Sequence, residues 1–186
     1  MKKINIYFIL WFLIGSMEVF AQQNITFTSK DATISFFSSA PLEDIEAKSN
    51  LAGSALNIST GDIIFKVKNT SFEFDKKLMQ EHFNENYMES DKYPFSEFKG
   101  KIEESKKLND NGNYTLKVSG TLQIHGVNKP YVTLVAFNVK NSVIKTLASF
   151  DVRLSDHKIT IPSIVGKNIA EVVKVKIDAT YKNGQL

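Results

Sequence analysis

KLMQEHFNENYMESDKYPFSEFKG, residues Lys77–Gly100, begins as an amphipathic helix and ends as a strand. Four aromatic rings (Phe83, Tyr87, Tyr93 and Phe95) lie between charged flanks, with a fifth, Phe98, on the strand itself. Leu78, Met79, His82, Phe83 and Tyr87 fall on one side at spacings of three and four, and Lys76, Lys77, Gln80, Glu81 and Glu85 face away. Asp75 is placed to cap the first turn. The expected element is a short helix near residues 75–88. So short a helix is stable only with its apolar side packed, and a chain of strands offers the end of a barrel for that. The helix is then either a lid over an apolar chamber or a plug that completes a filled core.

Around this stretch, period two dominates. In TLKVSGTLQIHG, Leu116, Val118, Gly120, Leu122 and Ile124 point one way, and Lys117, Ser119, Thr121, Gln123 and His125 the other. Phe98, Gly100 and Ile102 alternate with charged residues, as do Phe150, Val152 and Leu154, and Val173, Val175, Ile177, Ala179 and Tyr181. ATISFFS, DIEAKSN and DIIFKVK give shorter, noisier strands. One wet and one dry face per strand marks antiparallel sheet. Turn residues at Ser59–Asp62, Asn109–Gly112 and Gly126–Pro130 separate the runs. The expected fold is all-β, a single antiparallel barrel of about eight strands, the size that is filled by side chains or holds one small ligand. Gly100 and Gly120 on the inward face mark a bend, a bulge or a close approach.

The first residues, MKKINIYFILWFLIGSMEVFAQQ, read as a leader: Lys2 and Lys3, an apolar run Ile4–Ile14, and Val19 and Ala21 at a cleavage position. Residues 1–21 are expected to be a cleaved signal peptide and 22–186 one mature domain, periplasmic or secreted. The apolar run is short for a membrane span. The chain has no cysteine, so no disulfide framework and no lipid-bearing cysteine after the leader. With 23 Lys and Arg against 20 Asp and Glu, the charges are interspersed and form no basic stripe, which argues against nucleic acid. Four N-x-S/T sequons, at Asn24, Asn57, Asn69 and Asn113, read as chance in a chain with a bacterial-type leader.

The three histidines, His82, His125 and His157, have no metal-ligand spacing. No Gly-x-Ser-x-Gly and no phosphate loop occurs. His125 ends a strand beside a glycine, where a ring nitrogen bonding to backbone is the expected role. Phe36 and Phe37 are adjacent, so one leaves the inner face, either under Ala40–Leu42 or as a candidate homodimer contact.

Three segments together resemble one family: Phe72–Ile102, then GTLQIHGVNKP at Gly120–Pro130, then Phe150–Ile177. They are similar to the YceI-like family of lipid- and polyisoprenoid-binding proteins, from about Ile25 to Tyr181. Residues 41–58 carry the pattern only loosely. The resemblance implies a lipocalin-like barrel with an apolar tunnel and a polyisoprenoid, quinone or fatty-acid-like ligand. It implies no catalytic signature and no cofactor. The matching positions are Leu78, Met79, His82, Phe83, Tyr93, Pro94, Phe98, His125 and Gly126. The expected reading is therefore an exported binding protein, not an enzyme, with a long-chain apolar ligand, no nucleic acid and no stable membrane anchor. Candidate ligand contacts are Phe65, Phe72, Phe74, Met79, Phe83, Phe98, Leu122, Ile124 and Phe150, with Lys76, Lys77 or Arg153 near a polar head group. The alternatives are a filled barrel serving as a stress or scaffold protein, and an enzyme acting on an amphipathic substrate.

Overall fold

The structure is a computed structural model that describes residues 26–162 and 168–183. The leader expected at 1–21 lies outside them. Nine strands run in chain order: β1 Thr26–Ser39, β2 Asp44–Asn57, β3 Asp62–Lys68, β4 Glu73–Phe74, β5 Phe95–Ile102, β6 Gly112–Ile124, β7 Val127–Lys140, β8 Val143–Arg153 and β9 Val172–Asn183. All pairings are antiparallel in the order β1-β9-β8-β7-β6-β5-β3-β2, and β1 also pairs with β2. Eight strands thus close into a barrel. The two-residue β4 adds to β2 outside the ring, through Ala47↔Phe74 and Lys48↔Glu73. Among the described residues no helix is long and apolar enough to cross a membrane.

Alternation decides which atoms fill the barrel. The inward positions of the longest strands are apolar, and in one half they meet. Leu56, Phe137, Ile144 and Tyr181 are fully buried there and form one cluster with Leu116, Val139 and Ala179. Two register irregularities in β1, between Ser29 and Ala32 and between Ala32 and Ile34, let that 14-residue strand bend around the closure. The other half is capped by the helix.

That helix, α1, spans Lys77–His82 and continues as a π-type turn over Phe83–Tyr87. It starts later than its sequence suggests. The N-cap position is Lys76, in extended backbone with no side-chain cap, rather than Asp75. Pairing of Glu73 and Phe74 with β2 keeps the chain extended up to this point. Lys76 then turns to Glu43, Nζ to Oε1 2.5 Å, instead of the chain closing a local cap.

Two connections also differ from expectation. The β5–β6 link is not a tight hairpin at Asn109–Gly112; a 3-10 turn, Ser105–Asn109, tucks Leu108 and Ser105 into the open end of the filled half. The β6–β7 turn is only His125–Gly126, both with positive φ (50° and 70°), because Ile124 pairs directly with Val127. Pro130 is therefore a strand residue. β7 pairs with β8 only from Val135↔Ala148 to Lys140↔Val143, so Pro130 sits where β7 has no second neighbour and loses no ladder bond.

Candidate functional site

The capped half of the barrel is hollow. A cavity of about 500 Å³ lies between α1 and the filled half, within the range of about 300–1,000 Å³ common for small-molecule sites. Strand parity builds its walls: Ile34 and Phe36 from β1, Phe65 and Val67 from β3, Leu122 and Ile124 from β6. All nine expected residues face this one space: Phe65, Phe72, Phe74, Met79, Phe83, Phe98, Leu122, Ile124 and Phe150.

An aromatic cluster fastens the cap. Phe83 lies 5.1 Å from Phe74, 5.5 Å from Phe36 and 5.7 Å from Phe72, centroid to centroid. Such pairs each contribute about 0.5–1.5 kcal/mol beyond their buried area. Phe36 is the inward member of its pair, and Phe37 is the one left partly exposed, at 39 %. The Lys76–Glu43 ion pair joins α1 to the β1–β2 connection, and both residues line the mouth. The other two cations suggested for a head group stand elsewhere: Lys77 is exposed beside Glu81, Arg153 lies 3.9 Å from Glu171, and neither lines the cavity.

Phe98 and the backbone facing it explain the two inward glycines. Gly100 and Gly120 are directly paired across β5 and β6, and the Phe98 ring lies over both. A Cβ at either position would stand within 2.7 Å of Phe98 Cζ. Backbone is at least as close, with the Lys99 carbonyl oxygen against a Cβ on Gly120 and the Ser119 carbonyl oxygen 2.6 Å from one on Gly100, so the glycines admit both the ring and the facing strand.

β7 was the wall hardest to see. Tyr131, Thr133 and Val135 line the cavity, yet Val132 and Leu134 on the opposite face are also apolar and are 61 % and 63 % exposed. Alternation of polarity is lost although alternation of direction is kept. Beyond Val135, β7 and β8 part, and the Tyr131 and Phe150 rings, 5.9 Å apart, cover the seam from inside.

The histidines do not gather in the cavity. His125 Nε2 lies 2.7 Å from Glu89 Oε2 and its Nδ1 lies 3.2 Å from the His157 carbonyl oxygen. Neither His125 nor Glu89 lines the cavity. The pair ties the segment after the cap to the β6–β7 turn, where the Tyr93 ring packs on His125 at 4.7 Å. A Cβ on Gly126 would meet that ring at 2.5 Å, so glycine is required for space as well as for φ. His82 lines the mouth, with no carboxylate within ion-pair distance among the described residues.

His157 is fully buried behind Tyr131, whose ring stacks on it at 6.0 Å, and its Nδ1 lies 3.2 Å from the Val127 carbonyl oxygen. Burial pushes its pKa down, against the upward pull of the Val127 and Ile124 backbone and of Asp156. Its folded value therefore lies below the unfolded value of about 6.5, and the unfolded chain takes up the proton first on acidification. The stability tied to neutral His157 is complete above that unfolded value and is lost as pH falls through the folded one. Urea unfolding at about pH 7.5 and about pH 5.5 checks this: the free energy is lower at the acid value, and His157→Phe flattens the difference.

Comparison with known proteins agrees with this architecture. A sequence model described as the YceI-like domain matches residues 10–181. No curated protein matches the sequence. A polyisoprenoid binding domain from Saccharophagus degradans, implicated in plant cell wall breakdown, superposes with a TM-score of 0.74 at 13% identity, covering 87% of this chain and 99% of that one. BcnA of Burkholderia cenocepacia gives 0.68 at 15% identity, over 80% of this chain and 95% of that one. The Campylobacter jejuni YCEI protein gives 0.56 at 18% identity, over 100% of both chains. At these identities the structural likeness establishes the fold.

Proposed function

This chain belongs to the YceI-like domain family, and we propose that its cavity holds one long-chain apolar ligand, a polyisoprenoid, quinone or fatty-acid-like molecule. The observation that carries the proposal is the half-hollow barrel: one half packed solid, the other an aromatic-walled chamber closed by a helix. A protein needing only a filled scaffold gains nothing from leaving such walls unpacked. Each ~100 Å² of apolar surface taken from water contributes about 2.5 kcal/mol gross. Lost ligand freedom offsets part of this, yet binding at micromolar concentrations needs no polar chemistry. That the Saccharophagus degradans neighbour is a polyisoprenoid binding domain supports the same ligand class. On this reading residues 1–21 act as a cleaved leader, as their sequence suggests, and the mature chain binds and carries its ligand outside the cytoplasm.

Titration of the purified protein with a polyprenol, a long-chain quinone and a fatty acid, each displacing a fluorescent apolar dye, tests the proposal. At least one class is expected to bind saturably with one site per chain. Phe83→Asp, which puts a charge amid the cap's rings, is expected to weaken that binding about tenfold or more. Failure of all three classes to displace the dye contradicts the proposal.

A further inference from the structure

The cavity ends on a floor where the packed half begins. On six strands one residue is the last to face the open space: Ile34, Ile63, Val118, Val135, Thr146 and Ile177. Five are aliphatic. Thr146 carries the one hydroxyl, and it is 2 % exposed.

Behind the floor, the hydroxyl protons of the filled half have fixed directions. Ser54 Oγ donates its single proton to the Ile64 carbonyl oxygen at 2.6 Å. The 2.7 Å contact between Ser54 Oγ and the Tyr181 phenol must then be donated by Tyr181. The phenol is fully buried, and desolvation pushes its pKa up, so it keeps that proton. Thr146 Oγ1 donates to the Ala179 carbonyl oxygen at 3.4 Å. A carbonyl can only accept, so the Thr146 proton is directed into the wall. With its proton directed to Ala179, what Thr146 Oγ1 can offer at the floor is lone-pair density.

We propose that the chamber floor is a polar subsite in which Thr146 Oγ1 accepts a hydrogen bond from the inner end of the bound chain. The matching ligand is a long-chain alcohol that enters hydroxyl first, leaving its hydrocarbon tail along the aromatic wall toward α1. A quinone or an ether, whose oxygens only accept, brings no proton to this acceptor. A carboxylate would leave a charge desolvated at the end of an apolar chamber. The inference rests on the ligand-binding reading above and narrows it.

Matched chains separate the two. 1-Hexadecanol and hexadecyl methyl ether differ little in apolar surface, and each is titrated against the same fluorescent dye. The wild-type protein is expected to prefer the alcohol by about fivefold, the effect of one buried neutral hydrogen bond. Thr146→Val removes the preference, read as the ratio of the two affinities, and Thr146→Ser retains it. Equal affinities in the wild type overturn the proposal without need of any variant, and leave the chamber as an apolar site. A preference that survives in a folded Thr146→Val protein also overturns it. If neither chain displaces the dye while the polyprenol, quinone and fatty acid also fail, the ligand-binding reading itself falls, and this inference with it.

Discussion

Ala148→Trp is expected to weaken ligand uptake by about tenfold or more and to leave the barrel folded. Ala148 faces the chamber from β8, one inward position above Thr146, and pairs with Val135 on β7 and Ile177 on β9. An indole at this height points into open space, so it occupies ligand volume without displacing packed neighbours. Overpacking a filled core costs about 1–3 kcal/mol, but here the space is already present, and the cost to folding is expected near or below the bottom of that range. The cost falls on binding instead: affinity for any ligand class that the wild type takes up drops by tenfold or more, equivalent to about 1.4 kcal/mol or more. Dye displacement together with a urea unfolding curve separates the two effects. Full retention of uptake would mean that the ligand does not use the middle of the chamber.

Phe137→Ala is expected to do the reverse. Phe137 is inward on β7, one inward position below Val135, and is 1 % exposed among Leu116, Val139 and Tyr181 in the filled half. Removing a buried phenyl group that its neighbours cannot replace costs about 3–5 kcal/mol, a large share of a typical domain's stability of about 5–15 kcal/mol. The cavity walls named above do not include this ring. The prediction is a large fall in the urea midpoint, with ligand affinity unchanged at temperatures where the variant is folded. A variant as stable as the wild type would contradict the division of the barrel into a packed half and a hollow half.

That division is what the sequence conceals. Period two in the strands and the three-and-four spacing of the helix identify inward residues well, and the nine positions picked lie on one chamber. But Leu116 and Leu122 sit on the same face of the same strand, and alternation treats them alike. One is packed solid and the other faces open space, because the outcome depends on which strands splay and where the helix docks. β7 escaped for a related reason: Val132 and Leu134 make its outer face as apolar as its inner one. The helix start slipped by one residue because a long-range partner, Glu43, outcompeted the local cap at Asp75. The glycines stand out in the sequence, yet what requires them, the Phe98 ring and the facing backbone, follows only from the pairing of Gly100 with Gly120. Thr146 was hidden most completely. Its meaning depends on where its proton goes, to the Ala179 carbonyl on the neighbouring strand, a partner 33 residues away.

The most direct test of the account is mass spectrometry of an organic-solvent extract of the purified protein, run beside the Ala148→Trp variant. The account predicts an isoprenoid, quinone or fatty species near one per chain in the wild type and its loss in the variant. An empty extract from wild-type protein that also takes up no added polyprenol, quinone, fatty acid or long-chain alcohol would contradict it.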